Sequence, residues 1–373
     1  MKTIADRRYA ATIASQSPPF ALAAAFLAAI LIFMLLLYYQ LTHAPGAKTA
    51  VRKNGYSVLF SIYGHEGDRL YRPEEVTADK DGRLYVVDSF KHRIVVFDRN
   101  GAYAEEFGEK GAGYGKLEFP SAIAVADDGR AFVLSYSQNK IVVFDQKRKP
   151  VWEIKVLEPE AATIKKNRLY VATARGVMIG DLKGNLLTSF GTPGKKPGQF
   201  DRPTGIAVDG DGNIYVSDSL NYRLQALSKD GEFKWAVGSP IPQGQAFARG
   251  AIERKFSLPV GLTIDDKGYL YLMDAFSGEI YIFDRRGKEI ARRGEWGSDE
   301  GQFYYPSGIA YLGNETFAVA DKFNDRVQIL RIPSPVARTS GVGNRYYLPL
   351  AALIVLALAL LSTISRRRFK RGS

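Results

Sequence analysis

The chain has no cysteine, which excludes disulfide staples, thiolate nucleophiles, cysteine-ligated zinc, iron–sulfur clusters and covalently attached haem. Histidine is nearly as scarce: only His43, His65 and His92 are present, and His43 borders an apolar run. A basic interior is missing too. The formal charge of +12 comes from the two ends, because residues 1–53 and 338–373 hold thirteen Lys/Arg and one acid, Asp6, while the remaining thirty-eight basic and thirty-eight acidic residues cancel. A neutral middle offers no electrostatic footprint for a phosphate backbone, so no nucleic-acid partner is expected.

What the middle does hold is a phrase ending in proline that recurs at Pro73, Pro120, Pro159, Pro203, Pro259 and Pro306, with spacings of 47, 39, 44, 56 and 47 residues. The fullest copy runs from Arg202 to Gly238, where IAV, NIYVSD, RLQALS and EFKWAVG are β-rich runs separated by DGDGN and SKDG turns. Four short strands per unit, joined by Asp-Gly hairpins at a period of 40 to 50 residues, predict the blades of a β-propeller. Proline suits the start of each innermost strand, where it presets φ and no ladder donor is needed.

The last unit supplies only three strands, ending near Ile332, whereas GYSVLFSIYG at 55–64 matches the missing fourth. Pairing of that segment with 326–332 is expected to close the ring and remove an open sheet edge.

The units DSFKHRIVVFD, DSLNYRLQALS and DKFNDRVQIL, each after a YVVD, YVSD or AVAD strand, resemble the NHL repeat. The resemblance covers about 56–333 and implies an all-β, six-bladed propeller. Blades two and three depart from it: Ser135 and Thr173 replace the aspartate that recurs as Asp88, Asp218, Asp274 and Asp321, and blade three lacks the Asn/Arg loop. Some NHL proteins of the tripartite-motif type bind RNA on a basic propeller face, which the neutral charge here does not support. The NHL-like amidating lyases hold zinc with histidines from several blades, whereas His65 and His92 fall in one. His92 reads as a loop residue in the position of Asn or Asp in sister blades.

Two uncharged apolar runs, Phe20 to Leu41 and Tyr346 to Ile364, are each long enough to cross about 30 Å of hydrocarbon. The expected organisation is therefore a cytoplasmic tail (1–19), a signal-anchor helix (20–41), a linker (42–54), the propeller (55–333), a linker (334–345), a second transmembrane helix (346–364) and a basic cytoplasmic tail (365–373). Cleavage of the first run as a signal peptide stays open. Five basic residues follow the second run against Arg338 and Arg345 before it, so both termini are expected in the cytoplasm and the propeller outside. Two basic-flanked spans of this kind look prokaryotic.

Features copied around a ring read as scaffold, so the repeated aspartates and their arginines are assigned to locking loops and blades. Function is sought where symmetry breaks. The longest connection, 238–259, carries Phe247, Arg249, Arg254 and Lys255, and faces the short rim of blade three across a lopsided groove. Together with the loop residues His92, Tyr222, Phe276 and Phe323, it forms the candidate surface for a protein or glycan ligand. No catalytic residue, metal or cofactor is assigned. The alternative is an axial-site hydrolase or lyase: lactonase propellers hold a metal at the channel mouth with Glu, Asn and Asp, and here Glu74, its neighbour Glu75, and Glu160 are the candidates. They are too few, and are expected to be solvated rim acids.

Overall fold

A computed structural model describes residues 55–238 and 255–335, the backbone of Val51–Lys53, and the single helical positions Ile30 and Met34. The chain divides into two units, 1–50 and 51–373, and the second is the propeller. Apart from Ile30 and Met34, the expected span at 20–41 lies outside the described residues, as do the expected span at 346–364 and the segment 239–254. Among the described residues, no helix is long and apolar enough to cross a membrane.

Six antiparallel sheets follow one another along the chain. Blade one uses Pro73–Ala78, Leu84–Asp88, Arg93–Phe97 and Tyr103–Phe107 from the axis outward. Blades two to five repeat this order from Ala122–Val125, Pro159–Lys165, Pro203–Val208 and Pro259–Ile264. The hairpins form for a local reason. In the turn after Pro203–Val208, the Asp209 carboxylate accepts the amides of Asp211 (2.9 Å) and Asn213 (2.8 Å), and Gly212 takes the left-handed φ of 89° that closes the turn. The same carboxylate cap recurs at Asp98, Asp145, Asp181, Asp265 and Asp284.

Blade six closes as the sequence leads one to expect. Gly308–Gly313, Thr316–Asp321 and Arg326–Arg331 come from the C-terminal side, and Tyr56–Ile62 pairs with Arg326–Arg331, Ser57 opposite Arg331 and Ile62 opposite Val327. One boundary differs. Val51–Lys53 adds a fifth strand outside Tyr56–Ile62, with Arg52 opposite Ser57, so the linker expected over 42–54 ends in sheet. A fourth strand left outermost still has an unpaired edge, and this short hairpin covers it.

The second and third strands of the blades are buried on both faces along their middles, except in the third strand of blade three, where Met178, Gly180 and Asp181 are half-buried, and six apolar cores fill the wedges between neighbouring blades. The wedge between blades six and one, for example, joins Ile62, Val327 and Ile329 to Val76, Val86 and Val95. Blade-to-blade connections and the loops between second and third strands therefore emerge on one face, the loop face, and the hairpin turns on the other, the turn face.

Candidate functional site: the loop face and the channel mouth

The repeated aspartates hold the loop face in place. Asp218 accepts the amide of Asp201 on one oxygen (2.7 Å) and Arg223 Nε on the other (2.8 Å). Arg223 passes its remaining N–H groups to the carbonyls of Lys195, Lys196 and Gln199 in the incoming connection. Asp321 repeats this with Tyr304 and Arg326, and Asp88 with Tyr71 and Arg93. Burial holds the carboxyls of Asp88, Asp218 and Asp321 above the usual range despite these partners. Where blade two has Ser135, the hydroxyl donates to the Glu118 carbonyl instead (2.9 Å). The repeat is thus a clamp that ties the second strand of these blades to the incoming connection.

The clamp delivers the chain to each inner strand in an unusual conformation. Five residues that precede the repeat prolines are left-handed: Arg72 (φ 53°), Phe119 (46°), Glu158 (50°), Arg202 (55°) and Tyr305 (51°). Side chains other than glycine avoid this region, so each position is over-determined by its surroundings. Arg72 N donates to Asp325 Oδ1 (2.8 Å), and Phe119 N to His92 Nδ1 (3.0 Å).

These positions build an aromatic belt. Phe276 meets Tyr305 edge-on at 5.3 Å and Tyr305 lies 4.9 Å from Phe323. On the neighbouring side Tyr71, Phe90 and Phe119 form an edge-to-face run with 5.5 Å steps. Arg72 stands between the two groups, its guanidinium 4.7 Å from the Phe90 ring centre, 5.0 Å from Phe323 and 5.7 Å from Tyr71. Phe276 is 50% exposed and Phe119 43%. Tyr71, Phe90, Leu220, Trp296 and Phe323 are exposed on the same face, whereas on the opposite side Tyr103, Leu186 and Phe233 are exposed at the turn ends of three fourth strands.

The inner strands enclose an axial cavity of about 370 Å³. The acids at its mouth are not the solvated rim residues expected from sequence. Glu160 is half-buried, its side chain 8% exposed, and pairs with Arg202 (3.2 Å), and Glu74 pairs with Lys322 (2.6 Å). Glu75 lines the cavity, where burial and then the nearby Glu74 push its carboxyl up to about 8. It fits because its neighbour across the blade boundary is Gly308, where a Cβ would collide with the Glu75 carboxyl. Among the described residues, no group of three His, Asp or Glu could hold a metal ion. The alternative ligands Glu74 and Glu160 are each tied to a cation instead.

Of the residues singled out from sequence, Phe247, Arg249 and Arg254 lie outside the described residues. Lys255 is pinned against blade five by Glu289 (2.7 Å) and the Phe283 ring (5.5 Å). His92 is buried and accepts a backbone hydrogen bond through Nδ1, which makes it a brace, and burial lowers its pKa. Tyr222 is the half-buried, left-handed residue that ends the blade-four loop. Phe276 and Phe323 do belong to the exposed belt. Sequence reading missed Arg72, Tyr71, Phe90, Phe119 and Tyr305. The available signal was an apolar residue recurring at one loop position, as Phe90, Leu220, Phe276 and Phe323.

Comparison with known proteins defines the class first. A family described as a 6-bladed beta-propeller matches residues 72–170, and the NHL repeat matches residues 200–227. The chain is a six-bladed β-propeller, and one segment of it matches the NHL repeat. It is 30% identical over 162 residues to human (Homo sapiens) NHL repeat-containing protein 3, covering 40% of this chain and 42% of that protein. It is 29% identical over 140 residues to protein brain tumor of Drosophila melanogaster, covering 28% of this chain and 14% of that protein. The chain thus matches less than half the length of these curated relatives. Among solved structures, a virginiamycin B lyase from Staphylococcus aureus superposes with a TM-score of 0.52 at 14% identity, over 74% of this chain and 100% of that one. At that identity the likeness is one of fold.

Proposed function

We propose that this protein is a membrane-anchored, extracytoplasmic display platform whose propeller binds a protein partner on its loop face. The observation that carries this reading is the aromatic belt of the loop face, where Tyr71, Phe90 and Phe119 on one side and Phe276, Tyr305 and Phe323 on the other gather around Arg72. Monomeric surfaces rarely gather apolar side chains in this way without a partner, and aromatic residues with arginine are the side chains enriched at binding hot spots. Anchoring rests on the two apolar runs, and the orientation on the arginines after the second. The axial hydrolase reading is disfavoured because the carboxylates it would use, Glu74 and Glu160, are held in ion pairs.

The test uses full-length protein extracted from its own membranes. Proteins that co-purify quantitatively with wild type should be retained by Arg286→Glu on the turn face and lost from a Phe90→Asp/Phe323→Asp double variant of unchanged melting temperature. A partner set that survives the double variant would refute the loop face as the binding surface. Binding to a glycan array that depends on the same two residues would replace the protein partner with a saccharide.

A further inference from the structure

Most arginines described on this propeller donate to a carboxylate or a carbonyl; among the described residues Arg69, Arg72, Arg168, Arg175 and Arg331 do not, and of these only Arg72 stands among three aromatic rings. Arg93, Arg148, Arg223 and Arg326 each reach a carboxylate. Even Arg202, which holds the same pre-proline position as Arg72 three blades away, donates to Glu160. Arg72 differs. Its backbone is fixed by the Asp325 carboxylate and by Pro73 behind it, but among the described residues its guanidinium has neither an ion pair nor a hydrogen-bond acceptor. Three aromatic rings have their centres within 6 Å of it. Rings occupy the flat faces of a guanidinium and leave the N–H groups at its edge unsatisfied. An arginine flanked by rings in this way, with its edge donors unpaired, suits a planar anion that the guanidinium fork can meet with two hydrogen bonds.

We propose that Arg72 is the receptor for a single carboxylate of the partner polypeptide, an Asp, a Glu or a free C-terminus flanked by apolar side chains that settle on Phe90 and Phe323. This inference rests on the loop-face reading above and adds the chemistry of the ligand. Two observations select one carboxylate over a polyanion. Lys322, which shares the Phe323 ring with Arg72, is already neutralised by Glu74, and the Asp325 carboxylate accepts the Arg72 backbone amide. A row of phosphates would gain one favourable contact and meet two acids. The rings on either side dictate the rest of the ligand, since a carboxylate brought between Phe90 and Phe323 carries its neighbours onto apolar surface.

The test probes detergent-purified full-length protein with an array of short capped peptides in which a central Asp or Glu is flanked by Leu, Phe or Trp. A matched array carries Asn or Gln, and a third series has free C-termini. Carboxylate peptides should bind, and the amide replacement should weaken them about tenfold, as loss of a charge-assisted pair implies. Arg72→Gln should erase that discrimination, whereas Arg202→Gln should leave it intact. Arg72→Glu should invert the preference toward Lys-centred peptides, which tests the site by gain of function even if Arg72→Gln folds poorly. Equal binding of acid and amide peptides that is lost in Phe323→Asp would overturn the carboxylate assignment while leaving the loop face standing. No binding by any series, discrimination that survives Arg72→Gln, or displacement of the peptides by inorganic phosphate or an oligonucleotide at lower concentration would also overturn it.

Discussion

At the scale of residues, the ring's repetition makes single departures visible. Five blades put Ala122, Ala161, Gly205, Gly261 and Gly308 at the position two after the repeat proline, where inner strands crowd together, and blade one puts Glu75 there. The glutamate has one hydrogen bond, from the amide of its own neighbour Val76 (3.0 Å), and no cation, so ionising it in the channel is costly. Its folded pKa of about 8 lies above the ordinary 4.5. The folded state therefore binds a proton that the unfolded chain has already released, and stability from this group falls as pH rises from about 4.5 to about 8. Glu75→Gln should melt with wild type near pH 5 and above it near pH 8, by on the order of a few kcal/mol, reduced by whatever water the channel admits. Identical melting curves for the two proteins at pH 8 would mean that Glu75 is ionised and well solvated.

The elements follow from local chemistry more directly than the sites do. Asp-Gly turns fix the hairpins, β-branched and aromatic runs fill the strands, and the clamp of Asp with Arg anchors the incoming connection. The closing strand is the exception, because nothing near 55–64 in sequence says where it pairs. The turn after the third strand of blade one packs directly against it: a Cβ on Gly101 would lie 2.7 Å from the Phe60 ring. A chain starting at residue 66 loses the fourth strand of blade six, the hairpin that covers it, and Ile62 from the core between blades six and one. It should lose cooperative unfolding and aggregate, whereas one starting at 51 should melt in a single transition. Coincident melting curves for the two would show that the ring holds without its N-terminal strand.

At the scale of the whole molecule, charge and apolar surface are sorted by region. The basic excess sits in the flanks of the two apolar runs, and the propeller is formally neutral. With both tails in the cytoplasm, protease added outside intact spheroplasts should cut the propeller's 238–259 connection and spare a tag at the C-terminus. Destruction of the tag with the propeller protected would reverse the orientation.

The sequence by itself determined the blade count, the strand order, the closing strand and the clamp, because each depends on a periodic pattern or on contacts within one unit. Phe276 and Phe323 were within its reach for the same reason. It did not determine that Glu75 would face the channel, that Glu160 would pair with Arg202, or that Arg72 would stand between Phe90 and Phe323. Apart from Phe90, in the same blade as Arg72, those partners lie in other blades, up to 251 residues away along the chain for Arg72 and Phe323. Only closure of the ring brings them within a few ångströms, so the tertiary structure alone decided which exposed residues form one surface.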